Sequence, residues 1–324
     1  MIGDDVMLEI IIGRAGTGKT HTCLTSMKEF LDRRGLRAKI FLLMPAYMTY
    51  QTERQFAQMT NGQANTYSFS FQRFARQILE EMGGANIPKV TEIGRRMILR
   101  KILMQRDKAQ ELRYFARTIN RNGFSESLAE AIKELRVYDI KPEMLRQAIS
   151  GIEDEELCDK AYDLAMLSED FHQAIEGKNY DDEDIIELAA TQIPNSSLCK
   201  DAEVFIDGFV FFDPLQRKII KELLKRARNV HITLPMETDF NANENDEEVG
   251  LFRQSMKTFK MLRQMSIDVN VKMKISRCNN PYRFKRGALK VLEENMFAFP
   301  PSSLRKIDST TDSIKIIEAA TPRA

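Results

Sequence analysis

The sequence predicts an α/β protein whose strand–helix alternation, laid out as a parallel sheet, is interrupted by a long all-helical block. Three observations carry this. Leu8 to Ile12 form an apolar strand that runs into a glycine-rich loop, and helical spacing from Lys19 to Arg34 ends at Gly35. Strand-type segments return beyond residue 202 as "EVFIDGFVFF" (Glu203 to Phe212) and "NVHITLP" (Asn229 to Pro235), around the helix "PLQRKIIKELLKRAR". From Pro88 to about Gln192 nearly every segment has helical period and none reads as a strand.

The remaining elements follow in order. "AKIFLLMP" (Ala38 to Pro45) is a second strand stopped by proline, followed by a polar helix, "TYQTERQFAQM". In "NTYSFSFQRFARQIL" a short strand, Thr66 to Phe69, gives way to a helix that ends at Gly83 and Gly84. In the helical block, "TEIGRRMILRKILMQR" places Ile93, Met97, Ile98 and Ile102 on one face, with Arg95, Arg96 and Arg100 largely off it. Pro214 opens its helix where the missing N–H costs nothing. "FNANENDEE" is a polar loop, a helix from Gly250 to about Met265 and a basic strand "VNVKMKI" follow, and "SIKIIEAATPRA" reads as one more strand at the terminus. A strand with nothing after it suggests a fragment of a longer protein.

At 324 residues and 43% hydrophobic, the chain suggests about two domains. No stretch reaches the roughly 18 apolar residues of a membrane span, and no signal-like N-terminus is present, so a soluble cytosolic protein is expected. Cys23, Cys158, Cys199 and Cys278 lack metal-ligand or disulfide-frame spacing and read as reduced thiols. The net charge of +1 hides segregated blocks. Lys89 to Arg121 carries ten basic residues against three acids, Lys272 to Lys290 seven against none, and Glu153 to Glu187 fourteen acids against two lysines. Such segregation suits a polyanion track as well as a solvated surface.

The loop carries the chemistry. Gly13, Arg14, Ala15, Gly16, Thr17, Gly18, Lys19 and Thr20 fit G-x-x-x-x-G-K-[ST] between a strand and a helix. Glycines let backbone N–H groups turn toward phosphate oxygens, and the helix N-terminus adds its positive dipole end. Lys19 is expected on the terminal phosphates of ATP and the Thr20 hydroxyl on Mg2+. "VFIDGF" supplies the second element: Asp207, ending an apolar strand, suits the magnesium shell. Hydrolysis normally also needs an adjacent carboxylate to position the attacking water, and the adjacent residue is Gly208.

The ordered set "GRAGTGKT", "FLLMPAYMTYQTERQF", "TYSFSFQRFARQIL", a helical insertion, "FIDGFVFFDPLQ" and "HITLP" resembles the B subunit of the bacterial AddAB-type helicase-nucleases, relatives of the UvrD-like superfamily one helicases. The resemblance covers the whole chain, as the N-terminal part of a longer polypeptide. It implies a RecA-like P-loop lobe (1–83 and 199–324) with an inserted helical subdomain (84–198). Active relatives carry aspartate-glutamate, an aromatic, glutamine and aspartate at the second motif; Asp207, Gly208, Phe209, Val210 and Phe211 stand here. The next motif is replaced by "TLPMET", and no adenine-reading glutamine motif precedes the loop. The resemblance further implies a heterodimer with the motor-bearing A subunit of the helicase-nuclease, single- and double-stranded DNA as partner, and an iron–sulfur nuclease domain beyond this chain. By motif position, Thr66, Ser68 and Arg73 are candidate single-strand contacts, with Tyr67, Phe69 and Phe71 as candidate stacking rings. Arg95, Arg96, Arg100 and Lys101 are candidate phosphate contacts. The expectation is an ATP-binding, hydrolysis-impaired helicase-like lobe. Two alternatives stand beside it: an active motor with Asp213 as substitute carboxylate, and a P-loop small-molecule kinase using the helical block as a lid.

Overall fold

The computed structural model describes residues 7–35, 38–62, 67–84, 88–121, 123–176, 180–239, 250–284, 287–296, 314–315 and 317–318. The chain runs β1 (Met7–Gly13), α1 (Lys19–Arg34), β2 (Ile40–Leu43), α2 (Ala46–Met59), β3 (Tyr67–Phe69) and α3 (Phe71–Glu81). Next come α4 (Glu92–Lys108), α5 (Phe124–Val137), α6 (Pro142–Ile149), α7 (Glu155–Ile175) and α8 (Asp182–Gln192). It continues with β4 (Glu203–Ile206), α9 (Pro214–Arg226), β5 (Asn229–Pro235), α10 (Arg253–Asp268), β6 (Lys272–Arg277) and α11 (Gly287–Asn295). Two compact units result: residues 1–68, 201–211 and 227–324, and residues 69–200 with 212–226.

The first unit is built on a six-stranded sheet of order β3-β2-β4-β5-β1-β6, parallel at every described register. Leu8, Ile10, Ile11 and Ile12 of β1 are all buried, as expected of a strand covered on both faces, and Glu9 is buried among them. One core joins Ile11, Ile40, Leu42 and Phe205 of the sheet to Cys23, Leu24 and Met27 of α1 and Phe56 of α2. Helix α10 packs on β5 and β6 through its apolar stripe, which includes Phe259 and Leu262. Edge strand β6 turns Lys272 and Lys274 to solvent, as suits a strand with one open side.

The second unit is helical. Leu99, Leu103, Ile132, Leu167 and Phe171 centre its core. Helices α4, α7 and α8 start on side-chain caps: Thr91 accepts from the Gly94 N–H, Asp154 from Glu156 and Leu157, and Asp181 and Asp184 form a reciprocal capping box. Fully buried Asp163 accepts from the backbone N–H of Arg113 (3.0 Å), Tyr114 and Phe115 (2.9 Å each), ordering the irregular segment after α4. Helices α3 and α9 both pack on α8, and Phe71 meets Phe212 edge-on at 6.2 Å.

Several sequence expectations shift. Strand β4 ends at Ile206 rather than Phe212, because Asp207 turns toward the loop after β1 and Gly208 takes a left-handed backbone. Ile93 and Met97 of α4 are 69% and 68% exposed; the buried face is Arg95, Leu99, Ile102 and Leu103. The cause is Glu183, whose carboxylate takes the Arg95 guanidinium at 2.8 Å, with Asp181 at 3.6 Å, so a charged residue turns inward. The basic strand begins at Lys272, since Asn270 has φ 56° and breaks the extended run. Residues 314–315 and 317–318 lie in no strand, and "FNANENDEE" falls on residues 240–248, outside the described residues. Helix α11 has no counterpart among the segments expected from the sequence.

Candidate functional site

The loop from Gly13 to Thr20 leaves the carboxyl end of β1, where parallel sheets place their ligands. Gly18 precedes α1 with φ 88° and offers no side-chain cap, so the first N–H groups of the helix stay open to an anion. Lys19 Nζ donates to the carbonyls of Gly13 and Arg14, both at 2.8 Å. Thr17 Oγ1 donates to the same Arg14 carbonyl at 2.9 Å. The loop therefore curls around its own lysine. Burial pulls the Lys19 ammonium below its ordinary pKa, only partly offset by Asp207.

Asp207 faces this loop from the end of β4. Its carboxylate accepts from Thr20 Oγ1 at 2.6 Å and from Thr233 Oγ1 on β5, and the residue is 3% exposed. A hydroxyl that follows β1 and a carboxylate that follows β4, joined across the carboxyl end of β5, form a donor set that fits a magnesium ion held with a triphosphate. The neighbouring position is closed. Gly208 has φ 84°, and a Cβ there would stand 2.6 Å from Met48 Sδ and 3.1 Å from Pro45 Cδ. Asp213 is committed elsewhere: its Oδ1 caps α9 at the Gln216 N–H (2.8 Å), while Gln216 Oε1 accepts from the Asp213 N–H (3.3 Å).

A second layer was not foreseen. After β6, the Cys278 N–H donates to Ile12 O (2.8 Å) and the Arg283 N–H to Gly16 O (3.1 Å), laying residues 278–284 along the loop. The Tyr282 ring lies against Gly18 and is 69% exposed. Arg14 points away from the loop interior: Nε reaches both Glu293 carboxylate oxygens at 3.1 Å, Nη2 reaches Glu293 O at 2.8 Å, and Nη1 pairs with Glu237. In the sequence the block around Arg283 shows only as charge; the pair Tyr282–Arg283 after a proline was its one local signal.

The proposed nucleic-acid contacts occupy varied settings. Thr66 lies outside the described residues. Ser68 is buried and donates to Glu53 at 2.5 Å; Arg73 is exposed, its guanidinium 5.4 Å from the Phe69 ring centroid. Phe69 and Phe71 are buried, so neither offers a face to a base; nothing is described of the Tyr67 side chain. Arg95 is buried against Glu183, Arg96 pairs with Glu126 at 2.6 Å, and Arg100 and Lys101 stand exposed on α4. All four cysteines are free thiols, and among the described residues no His, Cys, Asp and Glu group has the makings of a metal cluster. An iron–sulfur cluster does not fit them. No helix among the described residues is long and apolar enough to cross a membrane.

Across the same sheet runs a buried polar row. His231 of β5 bonds Glu9 of β1 through Nδ1 and Glu203 of β4 through Nε2, each at 2.7 Å, and stacks on Phe205 at 4.4 Å. The bond to His231, resisted by burial and helped by Ser276 and Lys274, holds Glu9 down at about 2. Burial works against charge on His231, but its bonds to Glu203 and Glu9 outweigh it and raise the imidazole pKa.

Among known proteins, a family model described as "ADDB, N-terminal" matches residues 10–293. The chain is 33% identical over 302 residues to the B subunit of the ATP-dependent helicase/deoxyribonuclease of Desulforamulus reducens, covering 90% of this chain and 26% of that protein. The protein of the same description from Geobacillus thermodenitrificans is 33% identical over 328 residues, covering 98% and 28%. One from Bacillus cereus is 34% identical over 304 residues, covering 90% and 26%. The chain thus spans about a quarter of the length of these curated relatives.

Proposed function

Because this chain belongs to the ADDB N-terminal family, we propose that it is the nucleotide-holding, hydrolysis-impaired helicase-like region of a helicase-nuclease subunit. In this reading the sheet unit is a RecA-like P-loop lobe, the helical unit is its inserted subdomain, and the whole guides single-stranded DNA beside a motor-bearing partner during break repair in the cytoplasm. ATP would lie on the open N–H groups at the start of α1, with Lys19 on its phosphates and Thr20 and Asp207 holding Mg2+. The exposed Tyr282 ring beside Gly18 offers the base a stacking face in place of a glutamine motif. Of the candidate cations named from the sequence, Arg73, Arg100 and Lys101 are exposed and would meet phosphates.

One observation carries the reading: the Gly13–Thr20 loop, with Lys19 folded into it and Thr20 joined to Asp207, stands beside a left-handed glycine packed on Met48 and Pro45. A base that would draw a proton from water has no place to stand there. Nucleotide would then act as a structural ligand, stabilising the lobe by mass action. Asp213, spent on capping α9, gives the active-motor alternative no support. The test is nucleotide binding and single-strand-stimulated hydrolysis by the wild type and Lys19→Ala. Stoichiometric binding lost in the variant, with no turnover in either, is expected; robust wild-type turnover that the variant abolishes rejects the impaired reading.

A further inference from the structure

We propose that Arg14 is a positioning residue that clasps the C-terminal part of the sheet unit over the phosphate loop and thereby sets how slowly nucleotide leaves. The inference rests on the nucleotide-holding reading above. Arg14 works in two directions at once. Its carbonyl faces inward, taking Lys19 Nζ and Thr17 Oγ1, so the side chain must leave the loop outward. There all three of its guanidinium nitrogens are engaged: Nε and Nη2 grip Glu293 of α11 at its carboxylate and its carbonyl, Nη1 takes Glu237 just past β5, and Phe252 covers the cation at 5.4 Å. A planar fork of five donors suits such bridging; an ammonium does not.

The two carboxylates flank in sequence the stretch that lies on the loop. Between Glu237 and Glu293 come α10, β6 and residues 278–284, whose Cys278 and Arg283 N–H groups bond Ile12 O and Gly16 O. With the base on Tyr282, this stretch would wall one side of the nucleotide, and its lift from the loop would open a way out. The Arg14 bridge opposes that lift from the loop's own second residue. It is half-buried, so its charge-assisted bonds are less screened than a surface pair.

A competing role is plain charge neutralisation, with Arg14 cancelling two acids that would repel phosphate. The two roles predict opposite behaviour for Glu293→Gln. Removing an acid eases repulsion and should slow release; weakening a clasp should speed it. The experiment loads wild type, Arg14→Ala, Arg14→Lys and Glu293→Gln with mant-ATP and Mg2+, then follows release by stopped flow on adding excess ATP. The clasp predicts release about tenfold faster in Arg14→Ala and in Glu293→Gln, with Arg14→Lys also faster despite its retained charge. Wild type that binds while Glu293→Gln releases within twofold of it, or more slowly, overturns the clasp alone. Should Arg14→Ala fail to fold, Arg14→Lys and Glu293→Gln decide between the same outcomes. Wild type that takes up no mant-ATP rejects the nucleotide-holding reading, and the clasp falls with it.

Discussion

Restoring the missing carboxylate by Gly208→Glu should destabilise the protein and leave it without ATP turnover. Two costs add. A side chain at φ 84° pays about 1–2 kcal/mol for left-handed backbone. Its Cβ would also stand 2.6 Å from Met48 Sδ and 3.1 Å from Pro45 Cδ, and the repacking this forces costs about 1–3 kcal/mol. The sum, about 2–5 kcal/mol, is large against ordinary domain stability. Part of it is separable, because Met48 is a flexible side chain and Pro45 is a ring. Gly208→Glu with Met48→Ala should recover about 1–2 kcal/mol of the steric part while the backbone part remains. Urea unfolding of the wild type, both single variants and the double variant measures the cycle, and a phosphate-release assay with single-stranded DNA measures turnover. A Gly208→Glu protein as stable as wild type that hydrolyses ATP would refute the reasoning, since the glycine would then be an omission rather than a packed requirement.

The buried row on the sheet makes stability depend on pH in both directions. Glu9 titrates at 4.5 when unfolded and at about 2 when folded, so its stabilisation is present above pH 4.5 and lost as the pH falls toward 2. His231 is raised above 6.5, so its stabilisation is full below 6.5 and lost as the pH rises through the folded value. Urea midpoints should therefore peak between about pH 4.5 and 6.5, and His231→Gln should remove about 1–2 kcal/mol of that peak after allowance for solvent screening. In the helical unit, Asp163→Ala leaves three backbone N–H groups without their acceptor and should cost about 3–5 kcal/mol, read as a lowered urea midpoint. Arg95→Ala should cost a similar amount, about 3–5 kcal/mol, by stranding Glu183. Arg100→Ala with Lys101→Ala should change stability by less than about 0.5 kcal/mol yet weaken single-strand binding and reduce its salt slope by about 1–2, measured by fluorescence anisotropy across a salt series.

The sequence by itself determined the elements whose cause is local. The loop of Gly13 to Thr20, the strand before it and the helix after it are written in adjacent residues, and the Asn229–Pro235 strand was legible to the residue. That a glycine, Gly208, follows Asp207 directly was equally legible. Tertiary structure decided what depends on distant partners. Hydrophobic periodicity placed Ile98 and Ile102 of α4 inward correctly but also Ile93 and Met97, which are exposed, and it scored the buried Arg95 as polar; Glu183, 88 positions away, makes that burial tolerable. The clasp on Arg14 joins residues 279 positions apart and leaves no local trace. Why position 208 is glycine also came only from packing, where Met48 and Pro45 fill the space a side chain would need. Backbone preference and motif chemistry act over a few residues and can be read along the chain, whereas charge compensation and close packing exist only once remote segments meet.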